Sequence, residues 1–221
     1  MRLKILVAAV VLTAFGCWVG YLLAFPRTTI QYRVEFKLEV EGQPVELVSI
    51  WQVEYIAQPT FDGLLPSLVS HYSAQAAHAP LPDGRLVFIT IADKTFTSMA
   101  ADDGNWGNIA GIPIAAMGLT RQQGPAIVRA ISEASRAGSR YSLNEKMVPP
   151  IWVLPDEQNL SSLYRVNLCE IQSPCSARFV SGLMTFTSEP PWKNILTVFS
   201  WLKEWKRMNP LFHGGIANDF I

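Results

Sequence analysis

From residue 29 to residue 41 the chain alternates apolar and polar side chains almost without fault. Ile30, Tyr32, Val34, Phe36, Leu38 and Val40 share one face. Thr29, Gln31, Arg33, Glu35, Lys37, Glu39 and Glu41 share the other. A period of two means an extended strand with one side on a core and one side in water. Gly42, Gln43 and Pro44 break it. Residues 45–56 follow, rich in β-branched and aromatic side chains, and read as the return strand of a hairpin. Val48, Ile50 and Ile56 make its second face apolar too, which predicts a more central place in the sheet than the first strand has.

Further along, residues 72–79 and 85–92 are predicted to form a second hairpin through Pro80-Leu81-Pro82-Asp83-Gly84, where Asp-Gly tolerates the positive φ of a tight turn. Residues 95–118 read as irregular. Residues 124–138 form the best internal helix. Pro125 suits its first turn, Ile127, Val128 and Ile131 make its apolar stripe, and Gly138 suits its end. Residues 148–154, 164–168 and 178–187 are strand candidates. A final helix is expected from Ser188-Glu189-Pro190-Pro191 to about Arg207, with Trp192, Ile195, Leu196, Phe199, Leu202 and Trp205 at helical spacing. Hairpins dominate and βαβ alternation is absent, so the fold class is α+β with a mainly antiparallel sheet. The segment 138–150 is the one weak candidate for an internal boundary.

Ahead of the first strand, residues 5–25 are 21 residues without a charge. As a helix they extend roughly 32 Å, near the ~30 Å of a bilayer core. Arg2 and Lys4 flank one end, Pro26 and Arg27 the other, and Trp18 and Tyr21 suit an interface. The expectation is a transmembrane signal-anchor over 1–27 and an extracytoplasmic domain over 28–221. The amino terminus would be cytoplasmic and the domain periplasmic, in a single-pass protein of a bacterial inner membrane. A cleaved signal peptide has a shorter apolar core and small residues at its cut site, which are missing here. A lipoprotein anchored through Cys17 is the alternative that Gly16-Cys17 allows.

The chain is long enough to bury a core unaided. Its 18 basic residues balance 18 acidic ones; setting aside Arg2 and Lys4 leaves 16 against 18. No basic stripe appears, so nucleic acid is not an expected partner. Three cysteines are too few for a disulfide scaffold. Cys169 and Cys175 flank a short proline-containing stretch and can either pair as a disulfide or pack as two small hydrophobes.

Five segments carry a likeness: Tyr32-Arg33-Val34-Glu35-Phe36-Lys37-Leu38-Glu39-Val40-Glu41-Gly42, Val48-Ser49-Ile50-Trp51-Gln52-Val53, Asp83-Gly84-Arg85-Leu86-Val87-Phe88-Ile89, Pro150-Ile151-Trp152-Val153-Leu154 through Leu163-Tyr164-Arg165-Val166, and the stretch 183–205. Together they resemble an uncharacterised family of proteobacterial membrane-anchored or lipoprotein-like envelope proteins. The likeness covers most of 28–205 in short pieces, and the region around Cys169 and Cys175 departs from it. It implies an envelope location and no activity.

Catalytic patterns are sparse. There is no Gly-x-Ser-x-Gly elbow, and His213-Gly214-Gly215 lies in a tail. His71, His78 and His213 lack ligand spacing for zinc. Asp102-Asp103-Gly104-Asn105 lacks the alternating oxygens of a calcium loop. No cofactor is expected. Trp201, Lys203 and Lys206 are candidates for contact with a partner or a membrane surface, against the plainer reading of core packing. The leading functional expectation is a non-enzymatic assembly or protein-interaction module, its partners the membrane and another envelope protein. An envelope hydrolase of unknown type is the alternative.

Overall fold

A computed structural model describes residues 2–60, 67–89, 109–120, 122–156, 159, 162–168 and 176–191, with no side-chain description at 2–6, 8 and 9. Helix α1 (Arg2–Ala24) leads into β1 (Arg27–Val40) and β2 (Gln43–Ala57). Then come β3 (Leu68–Ser73), β4 (Ala77–Pro80), β5 (Leu86–Ile89), α2 (Gly111–Ala116) and α3 (Gly124–Arg136). The chain continues with β6 (Arg140–Leu143), β7 (Ile151–Leu154), β8 (Tyr164–Val166) and β9 (Ala177–Thr187). The strands make a five-stranded sheet in the order β3-β2-β1-β9-β6 and a four-stranded sheet in the order β4-β5-β7-β8. Every pairing of named strands is antiparallel, so the α+β antiparallel reading of the domain stands.

The alternation in β1 does what period two requires. Ile30, Tyr32, Val34, Phe36, Leu38 and Val40 are all buried, while the intervening residues are half-buried or exposed. The expected ranking of the two strands reverses, because β1 occupies the centre of its sheet with β2 one place out. The reason lies far along the chain: β9 adds to the free side of β1, from Gln31 opposite Thr187 to Val40 opposite Ala177. A bulge between Lys37 and Leu38 leaves Val180 as the extra residue, 57% exposed.

The buried face of this sheet is covered by α3, whose Ile127, Val128 and Ile131 are buried. Each such aliphatic side chain contributes about 1.5–3 kcal/mol by leaving water. Two buried tyrosines tie down the chain just before α2. Tyr32 Oη donates to the Ile109 carbonyl, and Tyr55 Oη donates to that of Ala110 at 2.6 Å. Burial pushes both phenols well above their ordinary range, so they remain donors at neutral pH.

The strand expected over 72–79 is two strands in two sheets, β3 and β4. Between them the Gln75 carbonyl accepts from Trp51 Nε1 at 2.8 Å and from Ser49 Oγ at 3.3 Å. Those bonds pin the chain where it leaves one sheet for the other. The segment 138–150 carries β6, which pairs with β9 and makes the stretch part of the first sheet.

The expectation of a transmembrane anchor, and with it a single-pass inner-membrane protein with a periplasmic domain, is overturned. Among the described residues, no helix is long and apolar enough to cross a membrane. Crossing takes about 20 consecutive apolar side chains. In α1 the apolar run is interrupted by Thr13, Gly16 and Gly20. The helix also begins at Arg2, so both cations expected as a flank, Arg2 and Lys4, fall within it.

Candidate functional site

The most concentrated polar cluster among the described residues sits under the tip of the β1–β2 hairpin. The turn is Glu41-Gly42, with φ of 50° and 79°. Both residues of such a two-residue turn need positive φ, which glycine accepts and glutamate resists at about 1–2 kcal/mol. Bonds on both sides of Glu41 hold it there. Its backbone N–H donates to the Ser176 carbonyl at 2.6 Å. Its carboxylate pairs with Arg85 Nη1 and accepts from Tyr164 Oη at 2.8 Å.

Arg85 is the hub. Nε donates to Asp83 Oδ2 at 2.8 Å, Nη2 lies 2.7 Å from the same oxygen, and Nη1 donates to Tyr164 Oη at 2.9 Å. Gln43 Nε2 also donates to Asp83 Oδ2, at 2.7 Å. The hairpin tip of one sheet, the β4–β5 turn and strand β8 of the other are thereby clasped together. Gln43 Oε1 is buried without a hydrogen-bond partner, an acceptor the clasp leaves unsatisfied.

Electrostatics in the clasp run away from neutrality. Hydrogen bonding to Arg85 holds Asp83 down at about 2, and hydrogen bonds from Arg85 and then Tyr164 lower Glu41. Asp83 and Glu41 in turn raise Arg85. Desolvation, then the bond to Glu41, raises Tyr164. A general acid or base works best with a pKa near the working pH. All four groups move the other way, so the cluster fixes charge in place and is poorly suited to moving protons.

The second prominent feature is the surface of α1. Leu12, Phe15, Trp18 and Leu23 are 70%, 59%, 59% and 70% exposed, alongside Val7, Val10, Val11, Tyr21 and Leu22. Large apolar side chains so open over one element are unusual on a chain with an otherwise closed core. The rings of Phe15 and Trp18 lie 6.1 Å apart along this surface. Arg129 of α3 donates to the Leu23 carbonyl at 3.0 Å, placing a cation at the helix C-terminus, where the dipole favours it. Phe25, just beyond the helix, packs against the core.

Cys169, Cys175, Trp201, Lys203 and Lys206 lie outside the described residues, as do the turn at 102–105, His213 and all of the helix expected from Ser188 to about Arg207 except residues 188–191, which are not helical. Cys17 is a free, exposed thiol on α1. His71 is exposed in β3, while His78 of β4 is half-buried with its pKa lowered by desolvation. The clasp was invisible in sequence because its members are distant from one another along the chain. One local sign existed: a glutamate directly before Gly42 at a hairpin tip, where asparagine or glycine is usual. No family model, no curated protein and no solved structure matches this chain.

Proposed function

We propose that the chain is a non-enzymatic protein-interaction module that uses α1 to engage another protein. The observation that carries this reading is the exposed apolar surface from Val10 to Leu23, with Arg129 bonded at its base and Phe25 just beyond it packed on the core. Covering such side chains yields about 25 cal/mol per Å² of apolar area removed from water, and extended apolar patches mark docking surfaces.

The test is co-purification from gently lysed cells with the intact chain and with a Leu12→Ser, Phe15→Ser, Leu22→Ser variant. None of the three side chains belongs to the core, so the variant folds as the parent does. The reading predicts a discrete protein recovered with the parent and lost with the variant. Recovery of the same proteins with both, or retention of the parent by lipid vesicles with no protein attached, contradicts it.

A further inference from the structure

Among the described residues, strand β1 has a stretch of edge without a strand partner. On one side it pairs with β2 from Arg27 opposite Ile56 onward. On the other side β9 begins its pairing only at Gln31, opposite Thr187. Continuing that register would set Pro190 against Thr28 and Pro191 against Arg27. Proline has no N–H to give to a ladder, so two in succession end the pairing. Residues 27–30 are therefore left without a strand partner on the β9 side among the described residues.

This edge opens into a cleft of about 610 Å³ between the sheet and the C-terminal end of α3. That volume falls in the range of sites that hold a small ligand or a short peptide. Ile30 and Phe186 supply its buried apolar lining, and Thr29, Ser135 and Thr187 supply hydroxyls. Among the described lining residues Arg136 alone is charged. Its Nε donates to the Ser132 carbonyl at 3.3 Å, and no carboxylate among the described residues pairs with its guanidinium. Gly138, with φ of 62°, ends α3 without a Cβ at the mouth of the cleft, where nothing lies within 4 Å of the position such an atom would take.

We propose that this cleft binds an extended peptide segment bearing a carboxylate. The peptide adds as a short strand along residues 27–30 of β1 and sets its acid on Arg136. The proposal rests on the reading of the chain as a protein-interaction module and names a second contact, distinct from α1. Backbone hydrogen bonds supply the affinity of such strand addition, and the charged group supplies its selectivity. Four residues of strand extend roughly 13 Å, which matches the bare edge.

The test uses the full chain and a fluorescein-labelled Gly-Thr-Val-Thr-Val-Asp peptide, read by anisotropy. Three comparisons accompany it: the Asn-terminated, C-amidated peptide, a peptide N-methylated at alternate residues, and the Arg136→Gln protein. The exposed position of Arg136 leaves folding intact, which circular dichroism verifies. The expected result is saturable binding of the parent peptide, weakened about tenfold or more by removing either the acid or Arg136, in line with a charge-assisted hydrogen bond. N-methylation abolishes it. Absence of saturable binding overturns the proposal, and so does binding that N-methylation or Arg136→Gln leaves within twofold. The Leu12→Ser, Phe15→Ser, Leu22→Ser protein binds the peptide like the parent. Failure of peptide binding with helix-dependent capture intact therefore refutes the cleft alone, whereas loss of that capture refutes the interaction reading itself.

Discussion

Replacing Gly124 by alanine in the first turn of α3 sets two rules against each other. Helix propensity alone predicts a gain of about 0.5–1 kcal/mol, because alanine loses less conformational freedom than glycine. The structure predicts a loss. A Cβ at position 124 would lie 1.9 Å from the Ser67 carbonyl oxygen and 2.6 Å from its carbon. Both are backbone atoms, so no rotamer change relieves the clash. Either α3 moves off the sheet or the chain entering β3 moves away, and each disturbs packing around Ile127, Val128 and Leu68. Overpacking of this kind costs typically 1–3 kcal/mol and sometimes more; with rigid backbone on both sides we expect about 3 kcal/mol. For a domain of this size that lowers Tm by roughly 6–12 °C. Urea unfolding followed by far-UV circular dichroism, with Tm from calorimetry, measures it. Ser67→Ala in the same background does not rescue stability, because the obstructing atom is the carbonyl and not Oγ. A Gly124→Ala protein as stable as the parent, or more so, refutes the close approach of α3 to Ser67.

Tyr55→Phe leaves the Ala110 carbonyl without its donor at a fully buried position and costs about 1–3 kcal/mol by equilibrium unfolding; a change under 0.3 kcal/mol contradicts the role assigned to that hydroxyl. The depressed carboxyls of the clasp bind fewer protons folded than unfolded. Their contribution is therefore complete above the ordinary carboxylate range and is lost as pH falls towards about 2, the value for Asp83. Arg85→Met removes the cause, so its stability falls less steeply than the parent's between pH 4 and about 2; equal slopes count against the clasp. His78, depressed by burial, adds a separate loss that begins as pH drops below its ordinary value of 6.5, and His78→Phe removes it. Thiol titration of the denatured protein decides between the two readings of Cys169 and Cys175: one thiol reacting before reduction and three after marks a disulfide, and three before reduction marks free thiols.

Features set by neighbouring residues were legible in the sequence. The period of β1, its hairpin with β2, the Asp83-Gly84 turn and the stripe and stop of α3 all depend on patterns within a few residues. Features set by distant partners were not. The central position of β1 depends on β9, whose Ala177–Thr187 lies far along the chain, and the alternation of β1 reads the same with one neighbour or two. β6 is four residues long, too short for a period to show, and takes its place from pairing with β9. The split between β3 and β4 comes from Trp51 and Ser49 reaching the Gln75 carbonyl, which no local pattern encodes. The expectation for α1 fails for a different reason. Absence of charge over 5–25 measures length, whereas crossing a membrane needs sustained hydrophobicity, which Thr13, Gly16 and Gly20 interrupt.

Site-specific photo-crosslinking from α1 tests the interaction reading most directly. Benzoylphenylalanine replaces Phe15 on the exposed helix or Gln52 in β2, where the side chain is half-buried and hydrogen-bonded to Gln31. After irradiation of intact cells the account predicts a discrete protein adduct from position 15, absent from position 52 and lost when Leu22→Asp is added. Adducts of equal yield from both positions, or no protein adduct from position 15, contradict it.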